Sequence, residues 1–216
     1  MDWVVKIGGS LFPEHAAELL KSLEGTGVAV VCGGGDFADR VRYYDRVSGF
    51  SESATHDSAI LCMDITGRLL SDLCESAVPV RTLGECREVA GSGLTPVILP
   101  SELLRFSDPV EHSWRVTSDS LSLIIAHMLG AKLLIATDVD GIYTERPPAR
   151  DAKLINEISA KNLLSFGETS VDEALPELLI KMKTDCYVAN GKFPERVLSI
   201  LRAGASEVIC TVIRGD

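Results

Sequence analysis

Along the chain, short and largely apolar runs alternate with segments whose apolar residues recur every three or four positions. The runs Trp3–Ile7, Val28–Cys32, Pro96–Leu99, Lys132–Thr137, Cys186–Asn190 and Glu207–Ile213 read as strands. Between them, Ala16, Leu19, Leu20 and Leu23 fall on one face of a helix, and Leu121, Ile124, Ile125 and Met128 repeat that spacing ahead of a stop at Gly130. Val197, Ile200 and Leu201 do the same before Gly204. Continuously apolar strands separated by helices predict an α/β fold, a three-layer αβα sandwich with a mainly parallel central sheet. There is no internal repeat, low-complexity tract or linker, so residues 1–216 are expected to form a single domain. Pro147-Pro148 and Phe166–Asp172 read as exposed loops.

Several predicted strands end in glycine or small polar residues. Ile7 leads into Gly8-Gly9-Ser10, Cys32 into Gly33-Gly34-Gly35, Thr137 into Asp138-Val139-Asp140-Gly141, and Asn190 into Gly191. In an open α/β sheet ligands bind at the carboxyl ends of the strands. Glycines there let a phosphate approach bare N–H groups beside the positive end of the next helix. Either turn alone is equally well a tight strand-to-helix connection. Two of them, with Lys6 beside the first, point to phosphate, although a Walker A loop would carry its lysine after the glycines.

Composition narrows the partners. The chain has 46% hydrophobic and 24% charged residues, as ordinary globular proteins do, and can bury about 70% of its unfolded surface. Its 31 acidic against 21 basic residues give a net charge of −10, which argues against nucleic acid or an anionic membrane. No apolar run approaches a membrane span and no export signal is visible, so the expected location is cytoplasmic. Six scattered cysteines without a CxxC pair read mostly as buried thiols, and no metal ligands are assigned.

Together, Lys6-Ile7-Gly8-Gly9-Ser10, the Gly33–Gly35 run, Thr117-Ser118-Asp119 and Thr137–Tyr143 (TDVDGIY) resemble the amino acid kinase superfamily, over nearly the whole chain. The resemblance implies ATP as phosphoryl donor, with Mg2+ held mainly by the nucleotide. It further implies an acceptor-binding half of roughly 1–115 and a nucleotide-binding half of roughly 116–216. By the same resemblance Gly8, Gly9 and Ser10 hold the nucleotide phosphates, and Gly33, Gly34 and Gly35 the acceptor. Lys6 points onto the transferring phosphate, and Asp119 fixes two lysines by ion pairing. Lys181 is the second of these, with Lys183 its competitor. Many relatives carry Gly-Gly-Met ahead of that lysine, where this chain has Leu175-Pro176-Glu177-Leu178. Thr137, Asp138, Asp140, Gly141 and Tyr143 fall where the superfamily contacts nucleotide.

On the acceptor side, Thr117, Arg42 and His56 are the candidate contacts. Arg42 with Asp36, Asp39 or Asp64 would offer both a cation and a carboxylate, and Trp114 a flat face. Arg40 is a further candidate, or an i,i+4 partner of Asp36. The run Gly33–Arg42, His56 ahead of Ala59-Ile60, and His112-Ser113-Trp114 resemble a short subgroup. That subgroup phosphorylates (5-(aminomethyl)furan-3-yl)methyl phosphate to its diphosphate in methanopterin-type cofactor biosynthesis. The isopentenyl phosphate kinase pattern, with a histidine shortly after the glycine run, is not matched. The superfamily resemblance also implies a homodimer. The other readings are a different kinase of the superfamily, a non-catalytic nucleotide or oxyanion binder, and a dinucleotide-dependent oxidoreductase. The last lacks its GxGxxG after the first strand.

Overall fold

A computed structural model describes residues 1–145, 152–166 and 169–215. Pro147-Pro148 and part of the predicted Phe166–Asp172 loop lie outside them. The elements in order are β1 (Trp3–Ile7), α1 (Glu14–Ser22), β2 (Ala29–Cys32), α2 (Gly35–Ser48), α3 (Glu52–Asp72), β3 (Ala77–Val80), α4 (Leu83–Gly91), β4 (Thr95–Ile98) and α5 (Pro100–Phe106). They continue with α6 (Ser118–Leu129), β5 (Lys132–Thr137), β6 (Ile142–Tyr143), β7 (Leu154–Ile155), β8 (Glu157–Ser159), α7 (Ala160–Leu163), α8 (Leu175–Met182), β9 (Cys186–Asn190), α9 (Pro194–Ala203) and β10 (Thr211–Arg214). A short 3-10 turn, Gly9–Leu11, follows β1. No helix of the described residues is long and apolar enough to cross a membrane.

One eight-stranded sheet runs in the order β3-β4-β2-β1-β5-β9-β10-β8, and β6 pairs with β7 apart from it. All ladders of the large sheet are parallel except β9 with β10. From β1 the chain builds outward through β2 on one side and, later, through β5 on the other. The strand order therefore reverses at β1, and the crevice at the carboxyl ends of β1, β2 and β5 is where such a sheet takes ligands.

Side chains of a strand alternate between faces, and β1 shows the consequence. Val5 and Ile7 join a core cluster with Leu19 and Leu20 of α1 and Val197 and Ile200 of α9. Val4 joins the opposite cluster, with Leu121, Ile124 and Ile125 of α6. Lys6, two residues on, shares the face of Val4 and is directed towards α6.

The predicted strand Glu207–Ile213 is corrected to Thr211–Arg214. Glu207 has φ 64°, a left-handed conformation incompatible with a strand. Thr95–Ile98 replaces Pro96–Leu99 because Leu99 already serves as the N-cap of α5.

Candidate active site

Lys6 and Asp119 meet inside the protein. The Lys6 Nζ lies 2.6 Å from Asp119 Oδ1, and the two residues are 7% and 5% exposed. Strand alternation brings the ammonium to the α6 face, and Asp119, second residue of α6, offers its carboxylate from the helix N-terminus. The ion pair is Oδ1's contact; among the described residues no hydrogen bond reaches that atom. Oδ2 accepts the N–H of Asp172 at 3.2 Å. A buried ammonium held by one carboxylate keeps its charge in a place that water does not screen.

Around this pair the two glycine turns touch through their main chains. A Cβ on Gly9 would lie 2.5 Å from the Gly35 nitrogen, and one on Gly33 would lie 2.9 Å from the Gly9 nitrogen. The close approach excludes a side chain at Gly9, and at Gly35 the backbone conformation, φ 52°, disfavours one. The N–H groups of Gly8 and Gly33 extend the parallel ladders, donating to Ala136 and Ile7 carbonyls at 2.8 Å. Among the described residues, no main-chain carbonyl takes the N–H groups of Gly9, Ser10, Gly34 or Gly35. They remain available for an oxyanion, at the N-terminus of the 14-residue helix α2.

A cavity of about 260 Å³ opens over these turns. Lys6, both glycine turns, Arg42, His56, Trp114, Thr117 and Thr137 all line it. A second cavity of about 390 Å³ is lined by Thr137, Asp138, Gly141, Tyr143, Glu145 and Phe166, among others. Thr137, at the end of β5, belongs to both walls, so the two cavities meet at one strand end.

The remaining candidates divide. Arg42 pairs with Asp39 at 3.2 Å and stacks over the Trp114 ring at 4.5 Å, and all three line the first cavity. Trp114 donates its indole N–H to Asp45. Thr117 gives both its N–H and its hydroxyl to Asp172. Arg40 instead lies over Tyr43. The Asp64 carboxylate is taken by the N–H and hydroxyl of Ser101 at the start of α5, and it lines neither cavity. Asp140 is likewise diverted. Its Oδ1 accepts from Arg196 at 2.7 Å and from Asn190 at 3.0 Å, and Asp138 faces the second cavity in its place.

Lys181 lies apart from the other candidates. α8 begins at Leu175, beside Asp172 and Asp119, whereas Lys181 stands six residues on, about 9 Å further along the axis. It is exposed and lines neither cavity, as is Lys183 beyond the helix end. Helical rise carries both lysines away from the end of α8 that meets the site. Among the described residues, the cationic side chains on the first cavity wall are Lys6 and Arg42, with the His56 imidazole beside them.

His56 is buried, shares a 2.8 Å hydrogen bond with Asp108, and stacks on His112 with ring centroids 4.4 Å apart at 7°. Ligating atoms of these three residues lie within 4.8 Å of one another. Imidazole lone pairs lie in the ring plane, however, and two parallel rings one above the other do not aim at a common ion. The trio reads as a packed polar cluster, of which His56 reaches the first cavity wall.

Sequence reasoning missed Asp172, whose carboxylate carries five hydrogen bonds. Its only signal was position, three residues ahead of a Leu-Pro helix start.

Comparison with known proteins agrees with this geometry. The profile of the amino acid kinase family matches residues 1–190. The chain is 41% identical over 205 residues, 92% of each chain, to a [5-(aminomethyl)furan-3-yl]methyl phosphate kinase of Methanocaldococcus jannaschii. It is 32% identical to a uridylate kinase of Methanobrevibacter smithii, covering 93% of this chain and 95% of that one. In fold it is similar to the uridylate kinase of Archaeoglobus fulgidus, with a TM-score of 0.75 at 23% identity over 99% and 100% of the two chains. It is also similar to the isopentenyl phosphate kinase of T. acidophilum, with a TM-score of 0.61 at 21% identity. A matching family profile over most of the length, together with a relative above 40% identity, shows that the chain belongs to the amino acid kinase family.

Proposed function

We propose that the protein transfers the γ-phosphoryl group of ATP to a small phosphomonoester, [5-(aminomethyl)furan-3-yl]methyl phosphate, giving its diphosphate for methanopterin-type cofactor synthesis in the cytoplasm. The observation that carries the reading is the main-chain contact of Gly9 with Gly35 beside the buried Lys6–Asp119 pair. Two anion-accepting turns in contact suit two phosphates that exchange one phosphoryl group.

In this reading the nucleotide occupies the cavity of Thr137, Asp138, Gly141 and Tyr143, and the acceptor occupies that of Arg42, His56 and Trp114. This corresponds to a nucleotide-binding half from about residue 116 and an acceptor-binding half before it. An acceptor phosphate oxygen forms the new P–O bond while the bond from the γ-phosphorus to the bridging oxygen breaks, releasing ADP. Lys6 and the free N–H groups of the turns supply preorganised positive charge where the equatorial oxygens accumulate negative charge. Asp119 holds Lys6 and is not itself a base. Arg42 meets the acceptor phosphate, and Asp39 beside it suits the acceptor's ammonium. Mg2+ would neutralise charge on the nucleotide phosphates, and Asp138 and Glu145 on the second cavity wall are the carboxylates placed to approach it.

The working form is proposed to be a homodimer. Leu61, Ile65 and Leu69 form an exposed stripe on α3, an apolar surface suited to a second copy.

The test is acceptor-dependent ADP release, with the aminomethylfuran phosphate, isopentenyl phosphate, UMP and acetylglutamate assayed side by side. Preference for the first is the expected result. Turnover of another acceptor alone would reassign the substrate, and ATP binding without turnover would leave a nucleotide-binding protein.

A further inference from the structure

The loop residue Asp172 ties together the two helices that border the Lys6–Asp119 pair. Its Oδ2 accepts the N–H of Thr117 at 2.8 Å, the Thr117 hydroxyl at 3.0 Å and the N–H of Ser120 at 3.0 Å. Its Oδ1 accepts the Ser120 hydroxyl at 2.6 Å and the N–H of Leu175 at 2.9 Å. Thr117 and Ser120 belong to the start of α6, and Leu175 opens α8. Neither helix has a capping bond from its own N-cap side chain, so one carboxylate serves both. The N–H of Asp172 then occupies Oδ2 of Asp119, which leaves Oδ1 to the Lys6 ammonium.

We propose that Asp172 is the positioning residue of the transfer site, clamping the N-termini of α6 and α8 so that Asp119 holds Lys6 on the phosphoryl path. The inference rests on the kinase reading above.

The clamp needs the ionised carboxylate. Five donors more than saturate the roughly four lone-pair sites of a carboxylate anion, whereas a carboxylic acid must donate one proton and loses acceptor capacity. Asp172 is only partly exposed as a residue. Burial of its carboxylate, and after that the charge of Asp119, pushes its pKa up to about 6. The groups facing it are Asp119 of α6, Lys6 of β1 behind that carboxylate, and Cys186 of β9, whose thiol burial pushes well up. On acidification Asp172 takes up a proton near pH 6 and releases donors at both helix starts.

The experiment is kcat against pH, with ATP and acceptor saturating, for the wild type, Asp172→Asn and Ser120→Ala. The acceptor's own phosphate also titrates near pH 6, so the readout is the difference between proteins with one acceptor. Asp172→Asn is expected to lower kcat at pH 8 by about 10- to 100-fold, with KM for ATP within about threefold, and to flatten the acid limb. Ser120→Ala removes a hydrogen bond that favours the ionised form, so its acid limb should move to higher pH. A merely structural role would lower Tm and leave kcat and the limb as in the wild type, which would overturn the proposal. If Asp172→Asn does not fold, an unmoved limb in Ser120→Ala overturns it alone. A wild-type protein without acceptor-dependent ADP release would refute the kinase reading itself, before any variant is compared.

Discussion

Replacing Lys6 by methionine keeps the buried aliphatic stem and deletes only the ammonium. Loss of one preorganised charge at a transfer site costs on the order of 10²–10³ in kcat, and that is the expected effect. The change also strands Asp119 in a buried position, a cost of about 3–5 kcal/mol when one member of such a pair is removed. Lys6→Met combined with Asp119→Asn should therefore recover stability in urea without recovering turnover; recovery of both would mean that Lys6 only fills space. Lys181→Ala, by contrast, should stay within about threefold of wild type, and a hundredfold loss would return that lysine to the site. Lys6 and the glycine turns were legible because strand alternation and main-chain access are local properties. Where Lys181 would lie was not legible because it depends on where α8 begins, and Pro176 starts the helix close enough to Asp172 to carry residue 181 out to solvent. Asp172 was illegible because its partners, Thr117 and Ser120, are more than fifty residues away in sequence.

At the scale of elements, β1, β5 and β9 were read to the residue, since each is a continuous apolar run covered on both faces. β3 escaped because Pro79 interrupts it on an edge, where a missing N–H is tolerated. β6, β7 and β8 are two or three residues long, too short for any period. Tertiary bonds hold them in place instead. The Thr211 hydroxyl of β10 donates to the Ile155 carbonyl at 2.6 Å and accepts the Ile142 N–H at 2.8 Å, joining β7 and β6 in the interior. Thr211→Val preserves the shape and removes both hydrogen bonds, at about 0.5–1.5 kcal/mol each. Equilibrium urea unfolding should show that loss. Because β6 carries Tyr143 of the second cavity, KM for ATP should rise while KM for the acceptor stays constant. An acceptor-selective effect would reverse the assignment of the two cavities.

For the whole molecule, net charge and exposed surface make opposite demands. A charge of −10 favours dispersed monomers and repels the anionic substrates from most of the surface. In the proposed reading, binding is concentrated where Lys6, Arg42 and the open N–H groups converge. The apolar stripe on α3 works against dispersal: Leu61, Ile65 and Leu69 are 54%, 42% and 46% exposed at four-residue spacing, which aligns them on one helix face. A stable interface buries about 800 Å² per partner, and this stripe offers a suitable centre for one. Light scattering should therefore give twice the chain mass for the wild type and the single mass for Ile65→Glu combined with Leu69→Glu. The same two helices carry Asp39, Arg42, His56 and Met63 on the wall of the first cavity, whereas no second-cavity residue comes from them. Dissociation should thus weaken acceptor binding and leave ATP binding intact. A variant that remains dimeric would remove α3 as the contact, and a monomer with unchanged acceptor KM would show that the cavity wall is rigid without its partner.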